Sequence, residues 1–279
     1  MSLYLDHFGL RASPFSTSPD PEFAYQTQEH QLAVTKVAYS VDEQRGLFLL
    51  TGPIGSGKTT VAELLVSTWE EHPDRYAVAH LTDPSAATPA AFLRVVLASF
   101  GQATARNLQD LKDALRLFLV ECYQSRKIAV LLLDEAQTIS RANLDLLQML
   151  SNEATAKAKL LQIVLFAQDN FQNKLTQKPA LRSRITGGAH LDPLTIEDSL
   201  EMLRFRASVA GGDFDAMFLP EVHKPLYNAA AGIPRELCVL CDAALVNAFA
   251  LRRPAVDMAC LAAAADDLRF KGFRLQPVE

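Results

Sequence analysis

The sequence predicts an α/β fold, in which a parallel five-stranded sheet flanked by helices is followed by a small all-helical domain. Short apolar runs alternate with helical patterns between residues 47 and 191, and this alternation is typical of a parallel sheet with right-handed crossovers. From Thr195 onward the pattern is helical only. The 279 residues, of which 49% are hydrophobic, suffice for an α/β core and a smaller second domain.

Five apolar runs have the length and composition of buried strands. The clearest is the run at residues 128–133, which is apolar at every position, as in strands that are covered on both faces. We expect strands at residues 47–51, 76–82, 128–133, 160–167 and about 185–191.

Helical patterns fill the intervals between these runs and the rest of the chain. The first pattern has apolar residues at helical spacing, namely Leu32, Val34, Val37, Ala38 and Val41. We expect helices at residues 28–43, 89–100, 108–125 and 141–153. Another helix should begin at the end of a glycine-rich loop and continue to about residue 72. Four more are expected at about 195–209, 219–230, 234–251 and 255–269.

The glycine-rich loop joins the first strand to the helix after it. Its residues are Gly52, Pro53, Ile54, Gly55, Ser56, Gly57, Lys58, Thr59 and Thr60. Because the glycines have no side chains, backbone N–H groups can close around an anion at the positive end of the helix. Lys58 adds a charge for the β and γ phosphates, and Thr59 a hydroxyl for Mg²⁺. The loop predicts a nucleotide phosphate site, and a glycine-rich turn with an incidental lysine is the alternative.

Two carboxylates, Asp134 and Glu135, follow the third predicted strand. The carboxyl ends of parallel strands share one edge of a sheet, so we expect both residues to lie near the phosphate loop. Asp134 is expected to hold Mg²⁺ through water, with Thr59 as the second metal-binding residue, and Glu135 to orient and polarise the attacking water. A solvated strand end is the alternative for this pair.

Composition and charge limit which further functional classes are compatible with the sequence. The net charge of −5 argues against a globally basic nucleic-acid binder, although a local cationic stripe could still hold a phosphate backbone. Four scattered cysteines are too few for a disulfide framework and are expected to be reduced core residues (Cys122, Cys238, Cys241, Cys260). No apolar stretch reaches 18 residues and the amino terminus lacks a signal-peptide layout, so a cytoplasmic location is expected.

Two groups of residues carry a resemblance to a known family. They are Tyr4, Phe8, Gly9, Leu10, Pro14, Phe15, Pro19, Asp20, Pro21, Phe23, Tyr25 and His30, and then Thr51, Gly52, Gly55, residues 57–60 and residues 133–137. Over residues 1 to about 250 the chain resembles the AAA+ ATPases of the P-loop NTPase fold, within them the ExeA/GspA branch and its relatives, the TnsC/TniB-type transposition regulators. The implied domains are an N-terminal segment and helix (1–45), a nucleotide-binding α/β domain (46–193) and a helical lid domain (194–279).

The resemblance also implies roles for residues outside the two motifs. Gln168 would be the sensor of the γ-phosphate, and Arg235 the second sensor on a lid helix. Either Arg182 or Arg184 would be the arginine finger that reaches the nucleotide of a neighbouring subunit. A fixed guanidinium stabilises the charge that spreads over the γ-phosphate oxygens, whereas solvated ion pairs are the alternative for all three arginines.

The resemblance further implies ligands and assembly. ATP and Mg²⁺ are the implied cofactors, and an active site shared between subunits implies a homo-oligomeric ring or helical filament. Tyr25 and His30 would lie near the adenine, with ordinary packing of an aromatic segment as the alternative.

Two functions remain open for such an assembly. The chain reaches Glu279 without the transmembrane helix and envelope-binding region that usually follow in ExeA/GspA proteins. We therefore expect a transposition regulator that assembles on duplex DNA and recruits a transposase or target-selection protein. The alternative is a cytosolic ATPase of a secretion or envelope-assembly apparatus that acts on protein partners. A nucleotide-gated switch with little turnover would use the same site.

Contacts with DNA are expected from two loops, at residues 82–88 and 102–107. The residues able to meet phosphates are Ser85, Thr88, Thr104, Arg106 and Asn107. Arg106 is the only cation in either loop, so useful affinity would require repetition around an oligomer. Solvated polar loops are the alternative.

Overall fold

The computed structural model describes residues 4–18, 20–103, 105–156 and 158–275, which fold into two compact units. The α/β unit contains residues 28–53 and 57–191. The helical unit contains the described residues of Met1–Thr27, Ile54–Ser56 and Asp192–Glu279. The sequence groups residues 1–45 together, whereas the structure divides them between the two units after Thr27.

The α/β unit is built on a five-stranded parallel sheet, which confirms the predicted fold class. Its strands are β1 (Leu47–Thr51), β2 (Tyr76–Leu81), β3 (Ile128–Leu133), β4 (Leu161–Ala167) and β5 (Ile185–His190). Their order is β2-β3-β4-β1-β5, and every neighbouring pair is parallel. Because the strands are parallel, the segments that follow β1, β3 and β4 all leave the sheet at the same edge.

Helices connect the strands and form the second unit. They are α1 (Leu5–Phe8), α2 (Gln28–Asp42), α3 (Lys58–Glu70), α4 (Pro89–Ser99), α5 (Leu108–Gln124), α6 (Arg141–Leu150), α7 (Phe171–Thr176), α8 (Pro179–Arg182), α9 (Ile196–Val209), α10 (Phe214–Met217), α11 (Pro220–Ala230), α12 (Pro234–Ala250) and α13 (Met258–Asp267). The long helices agree with the predicted ones to within about three residues at each end. The four short ones, α1, α7, α8 and α10, have no counterpart in the predicted pattern.

Helices of the α/β unit cover both faces of its sheet. Along β1, Leu47 and Leu49 pack with α4, α5 and α6, whereas Phe48 and Leu50 pack with α2 and α3. Successive side chains of a strand point to opposite faces, so the two cores alternate along every central strand. This double coverage explains why β3 is apolar at each position.

The helical unit includes the N-terminal segment, which is fastened to α9. The guanidinium of Arg206 donates to the backbone carbonyl oxygens of Pro14 (2.8 Å), Ser16 (2.6 Å) and Phe23 (3.0 Å). Phe15 is 1% exposed and packs edge-on against Phe218 at the end of α10. The segment thus fills part of the same core as α9 to α13.

The four cysteines are buried with free thiols, as expected for reduced core residues. In the part of the chain that the structure describes, no helix is both long and apolar enough to cross a lipid bilayer.

Candidate functional site

The glycine-rich loop between β1 and α3 depends on two glycines with left-handed backbone. Gly55 and Gly57 have φ angles of 84° and 94°, which residues with side chains rarely adopt. A Cβ atom at Gly57 would lie 2.5 Å from Nε2 of His30, which is buried on α2. Gly57 is therefore required both by its backbone conformation and by the close approach of the imidazole.

Lys58, the first residue of α3, holds its ammonium group against the start of the loop. Its Nζ donates to the carbonyl oxygens of Gly52 (2.9 Å) and Pro53 (2.7 Å), and the residue is only 7% exposed. The positive charge is thus fixed beside the loop, as a phosphate-binding role requires. Thr60 is half-buried on the same turn of α3.

Thr59 and Asp134, the two predicted metal-binding residues, are in direct contact. The Thr59 hydroxyl donates to Oδ2 of Asp134 at 2.7 Å, and Asp134 is 3% exposed at the end of β3. The other carboxylate oxygen accepts the backbone N–H of Glu135 at 2.8 Å, so the carboxylate is held from both sides. A hydroxyl and a carboxylate oxygen are the hard ligands that Mg²⁺ prefers, and the residues present therefore fit this ion.

Glu135 reaches the residue that follows β4 with its side chain. Its backbone is left-handed, with φ 48° and ψ 38°, a conformation that costs a residue other than glycine about 1–3 kcal/mol. Its Oε2 accepts a hydrogen bond from Nε2 of Gln168, the residue after β4, at 3.2 Å. The predicted water-activating carboxylate and the predicted sensor are therefore brought together.

Sequence reasoning missed two further residues of this cluster, Gln137 and Lys174. The Gln137 side chain donates from Nε2 to Oε2 of Glu135 and accepts the backbone N–H of Gln168 at 3.0 Å. The Lys174 ammonium, on α7, donates to the backbone carbonyl oxygens of Gln137 (2.6 Å) and Ile139 (2.9 Å). Gln137 stands two residues after Glu135 inside the motif at residues 133–137, and that spacing was the available signal.

Arg182 and Arg184 are not brought to the phosphate loop. Both precede the start of β5, where Ile185 pairs with Leu47 at the start of β1, whereas the loop follows the far end of β1. The two edges are separated by the length of a strand, about 16 Å at 3.3 Å per residue. Arg182 is exposed, and Arg184 is half-buried with its Nε lacking a partner among the described residues.

Arg235 lies in the helical unit beside residues 54–56 of the loop, which belong to the same unit. Its backbone N–H points to the carbonyl oxygen of Gly55 at 3.4 Å, and a Cβ atom at Gly55 would lie 2.7 Å from Cβ of Arg235. Arg235 is exposed at the second position of α12. In the same part of the loop, Ile54 is exposed and Ser56 is buried.

Tyr25, predicted near the adenine, packs on α9 within the helical unit. Its hydroxyl donates to Oε2 of Glu201 at 3.0 Å, and its ring centroid lies 5.6 Å from that of Phe205. Burial, and then the hydrogen bond to the Glu201 carboxylate, raise the pKa of the Tyr25 phenol. These contacts favour the alternative, in which Tyr25 is a packing residue.

Three of the predicted DNA-contacting residues use their side chains for local structure. Thr88 caps α4 by accepting the N–H of Ala91 at 3.2 Å, and Asn107 caps α5 by accepting the N–H of Asp110 at 2.9 Å. Ser85 is exposed and hydrogen-bonds with Asp83 through its backbone N–H, at 3.0 Å, and its side chain, which lowers the pKa of that carboxyl.

Arg106 alone among the predicted contacts keeps its charged group at the surface, while Thr104 lies outside the described residues. Arg106 is exposed, and its guanidinium makes no ion pair with any residue in the described ranges. Its backbone carbonyl accepts a 2.6 Å hydrogen bond from Arg94 of α4, which also donates to the carbonyl of Ala105 at 3.2 Å. Arg94 thereby fixes the loop that carries Arg106.

One edge of this sheet carries the phosphate loop, the hydrogen-bonded pair Thr59 and Asp134, and Glu135, which contacts the residue after β4. A family model for the AAA domain matches residues 41–175, which span these features. Residues 41–175 are therefore similar to the AAA domain. The match supports nucleotide binding by the phosphate loop.

One relative and two solved structures extend this result. General secretion pathway protein A of Aeromonas hydrophila is 36% identical over 253 residues, covering 89% of this chain and 45% of the relative. The chain thus spans about half the length of this relative. The Aeropyrum pernix ORC2 protein (ADPNP-ADP complexes) matches with a TM-score of 0.65 at 18% identity, covering 91% of this chain and 71% of that one. Drosophila ORC bound to DNA matches with a TM-score of 0.72 at 16% identity, covering 96% and 66%.

The AAA match and the secretion-protein relative together support an AAA+ ATPase of the ExeA/GspA type. The solved structures, all below 20% identity, support the fold of the AAA domain alone. These findings favour the alternative function of the sequence analysis, a GspA-like ATPase, over the transposition regulator. The relation to TnsC/TniB-type proteins stays an interpretation of the sequence.

Proposed function

We propose that this chain is the ATP-hydrolysing module of a GspA-type assembly that acts on protein partners of a secretion or envelope-assembly apparatus. ATP hydrolysis is proposed because two hydrogen bonds form at the edge of the sheet where the phosphate loop lies. One joins Thr59 to Asp134, and the other joins Glu135 to Gln168. The 36% identity to a general secretion pathway protein supports the choice of apparatus.

In this proposal the phosphate loop binds the triphosphate of ATP, and Lys58 exchanges its two carbonyl partners for phosphate oxygens. Thr59 and Asp134 hold Mg²⁺, which neutralises charge on the phosphates when bound. Glu135 orients the attacking water and takes up its proton. Gln168, which already contacts Glu135, places that water relative to the γ-phosphate.

The proposal includes a site completed by a second subunit. Arg182 and Arg184 lie at the opposite edge of the sheet from the phosphate loop of their own α/β unit. Arg184 has a buried Nε without a partner in the described part of the chain, so its guanidinium is not committed to an internal ion pair. A neighbouring copy that docks at this edge would receive an arginine at its own nucleotide.

The decisive experiment replaces the proposed base. Glu135→Gln keeps the shape of the side chain but removes its basicity, so we expect ATP affinity to stay within about threefold and kcat to fall by about 100-fold or more. Turnover would be followed by phosphate release, and affinity by titration with a fluorescent ATP analogue. Glu121→Gln, an exposed carboxylate on α5, is the matched control and should behave as wild type. Brisk turnover by Glu135→Gln would overturn the proposed site.

Duplex DNA is the second candidate partner, because Arg106 presents an exposed guanidinium, without an ion-pair partner among the described residues, on a loop that Arg94 holds in place. Under this alternative, binding of a fluorescent duplex would require a non-hydrolysable ATP analogue and would weaken with salt. Arg106→Ala would then reduce affinity on every sequence and flatten the salt dependence, whereas the exposed Lys36→Ala of α2 would not. Nucleotide-driven assembly without DNA binding at low salt would rule out the DNA function, and the protein-partner function would be the one remaining candidate.

A further inference from the structure

We propose that Gln137 is a positioning residue that sets the Glu135 carboxylate for catalysis and ties it to Gln168. This inference rests on the proposed function, because it takes Glu135 as the residue that activates water. It assigns a role to a residue that the sequence reasoning left without one.

Gln137 contacts both Glu135 and Gln168, the two residues proposed to place the attacking water. From one side-chain amide, Nε2 donates to Oε2 of Glu135, and Oε1 accepts the backbone N–H of Gln168 at 3.0 Å. Gln168 in turn donates from its own Nε2 to the same Oε2 of Glu135 at 3.2 Å. The three residues therefore form a closed set of hydrogen bonds, in which one Glu135 oxygen is held by two amide donors. Among the described residues the other oxygen accepts no side-chain hydrogen bond, and we assign it to the attacking water.

The backbone beneath Gln137 is held as well. Lys174 donates from α7 to the carbonyl oxygens of Gln137 and Ile139, at 2.6 and 2.9 Å. These residues belong to a 3₁₀ turn (Ala136–Thr138) and the position after it. Because the Glu135 backbone is in a costly left-handed conformation, its side chain depends on such neighbours to keep one direction.

Only an amide of this length satisfies both contacts of Gln137. Glutamine has a donor and an acceptor on one carbon, whereas glutamate offers only acceptors and would place a second carboxylate against Glu135. Methionine has a similar length and volume but makes neither hydrogen bond. Gln137→Met is therefore the substitution that removes the positioning and keeps the space filled.

The first experiment separates kcat from ATP binding. We expect Gln137→Met to lower kcat about 10-fold or more while KM for ATP and the affinity for a fluorescent ATP analogue stay within about twofold, because Gln137 touches Glu135 and not the phosphate loop. Gln172→Met, an exposed glutamine on α7, is the matched control and should retain wild-type kcat. Unchanged analogue affinity also shows that the variant is folded.

The second experiment tests whether Gln137 acts through Glu135. In the Glu135→Gln background there is no carboxylate to place, so adding Gln137→Met should leave the residual turnover unchanged within about twofold. A role in general structure would instead lower the residual turnover further, and would lower the analogue affinity of the single variant too. Either of these results would overturn the inference.

The same variants distinguish the failure of this inference from failure of the proposed function. If Glu135→Gln stalls hydrolysis while Gln137→Met turns over as fast as wild type, Gln137 has no positioning role and the proposed function stands. If Glu135→Gln itself hydrolyses ATP at the wild-type rate, the proposed function fails and this inference fails with it.

Discussion

At the scale of single residues, His30 lies so close to Gly57 that no side chain fits between them. The distance of 2.5 Å that a Cβ atom would have from Nε2 leaves no room for a methyl group, and the φ angle of 94° is unfavourable in addition. The imidazole and the glycine thus constrain each other at the point where α3 begins, which is also where a phosphate would meet the helix.

Gly57→Ala should therefore lower both stability and nucleotide affinity. Strained backbone and the clash with His30 together predict a loss of about 1–3 kcal/mol in the free energy of unfolding, measured by urea denaturation. Gly101→Ala is the matched control, because Gly101 also has a positive φ, of 70°, but no atom within 4 Å of an added Cβ. The smaller loss of unfolding free energy expected for Gly101→Ala measures the backbone cost without the clash.

A second substitution checks the source of the Gly57→Ala effect. Removing the imidazole with His30→Ala should recover part of the lost stability in the double variant, since only the clash is relieved. Equal losses for Gly57→Ala and Gly101→Ala, with no recovery in the double variant, would contradict the role of His30.

At the scale of elements, the sequence predicts the parts of the fold whose hydrophobic pattern extends over many residues. All five strands and the long helices were predictable because their periods of 2 and 3.6 repeat several times, or because a run such as that of β3 is apolar throughout. The short α7 and α8 have six and four residues and complete fewer than two helical turns, so no period can be recognised in them. Yet α7 carries Lys174, which steadies the segment after Glu135.

Capping explains why part of the predicted DNA interface has another role. Thr88 stands directly before Pro89, and Asn107 stands three residues before Asp110, which are sequence signals for the start of a helix. These signals were present in the sequence but compete with a polar-loop interpretation of the same residues. Polar residues in a loop are thus weak predictors of phosphate contacts unless their side chains are uncommitted.

In the candidate site, the sequence motifs predict the phosphate- and metal-binding residues but not the side-chain contacts around Glu135. Spacing alone predicts the roles of Lys58, Thr59 and Asp134, because backbone geometry fixes where a phosphate loop and a strand end meet. The contacts of Gln137 depend on side-chain directions around a left-handed residue, Glu135, which no periodicity reports.

At the scale of the whole molecule, the position of Arg182 and Arg184 predicts that activity requires more than one copy. Lys58→Ala lacks the phosphate contact, and a variant without the finger lacks the arginine, so each should be inactive alone. In a 1:1 mixture about a quarter of the interfaces would combine an intact loop with an intact arginine from the next subunit. We expect turnover to reappear in that mixture, measured by phosphate release.

The mixing experiment also identifies the finger. Arg182→Ala and Arg184→Ala are each mixed with Lys58→Ala, and the variant that is inactive alone and complemented in the mixture marks the arginine that acts across the interface. Arg141→Ala, an exposed arginine at the start of α6, should be active alone. Full turnover by both finger variants, at dilutions where particles are single, would show that the site is complete within one subunit.

The attachment of the N-terminal segment to Arg206 has a consequence for the order in which the two units form during synthesis. Pro14 and Arg206 are 192 positions apart in the sequence, which a ribosome covers in about 10–40 s. By then all strands of the sheet have been synthesised, whereas Phe15 and Phe23 have lacked their partners in α9 to α13 since they themselves were made. Phe15 and Phe23 must therefore be kept from premature association until the residues that follow Asp192 have been made.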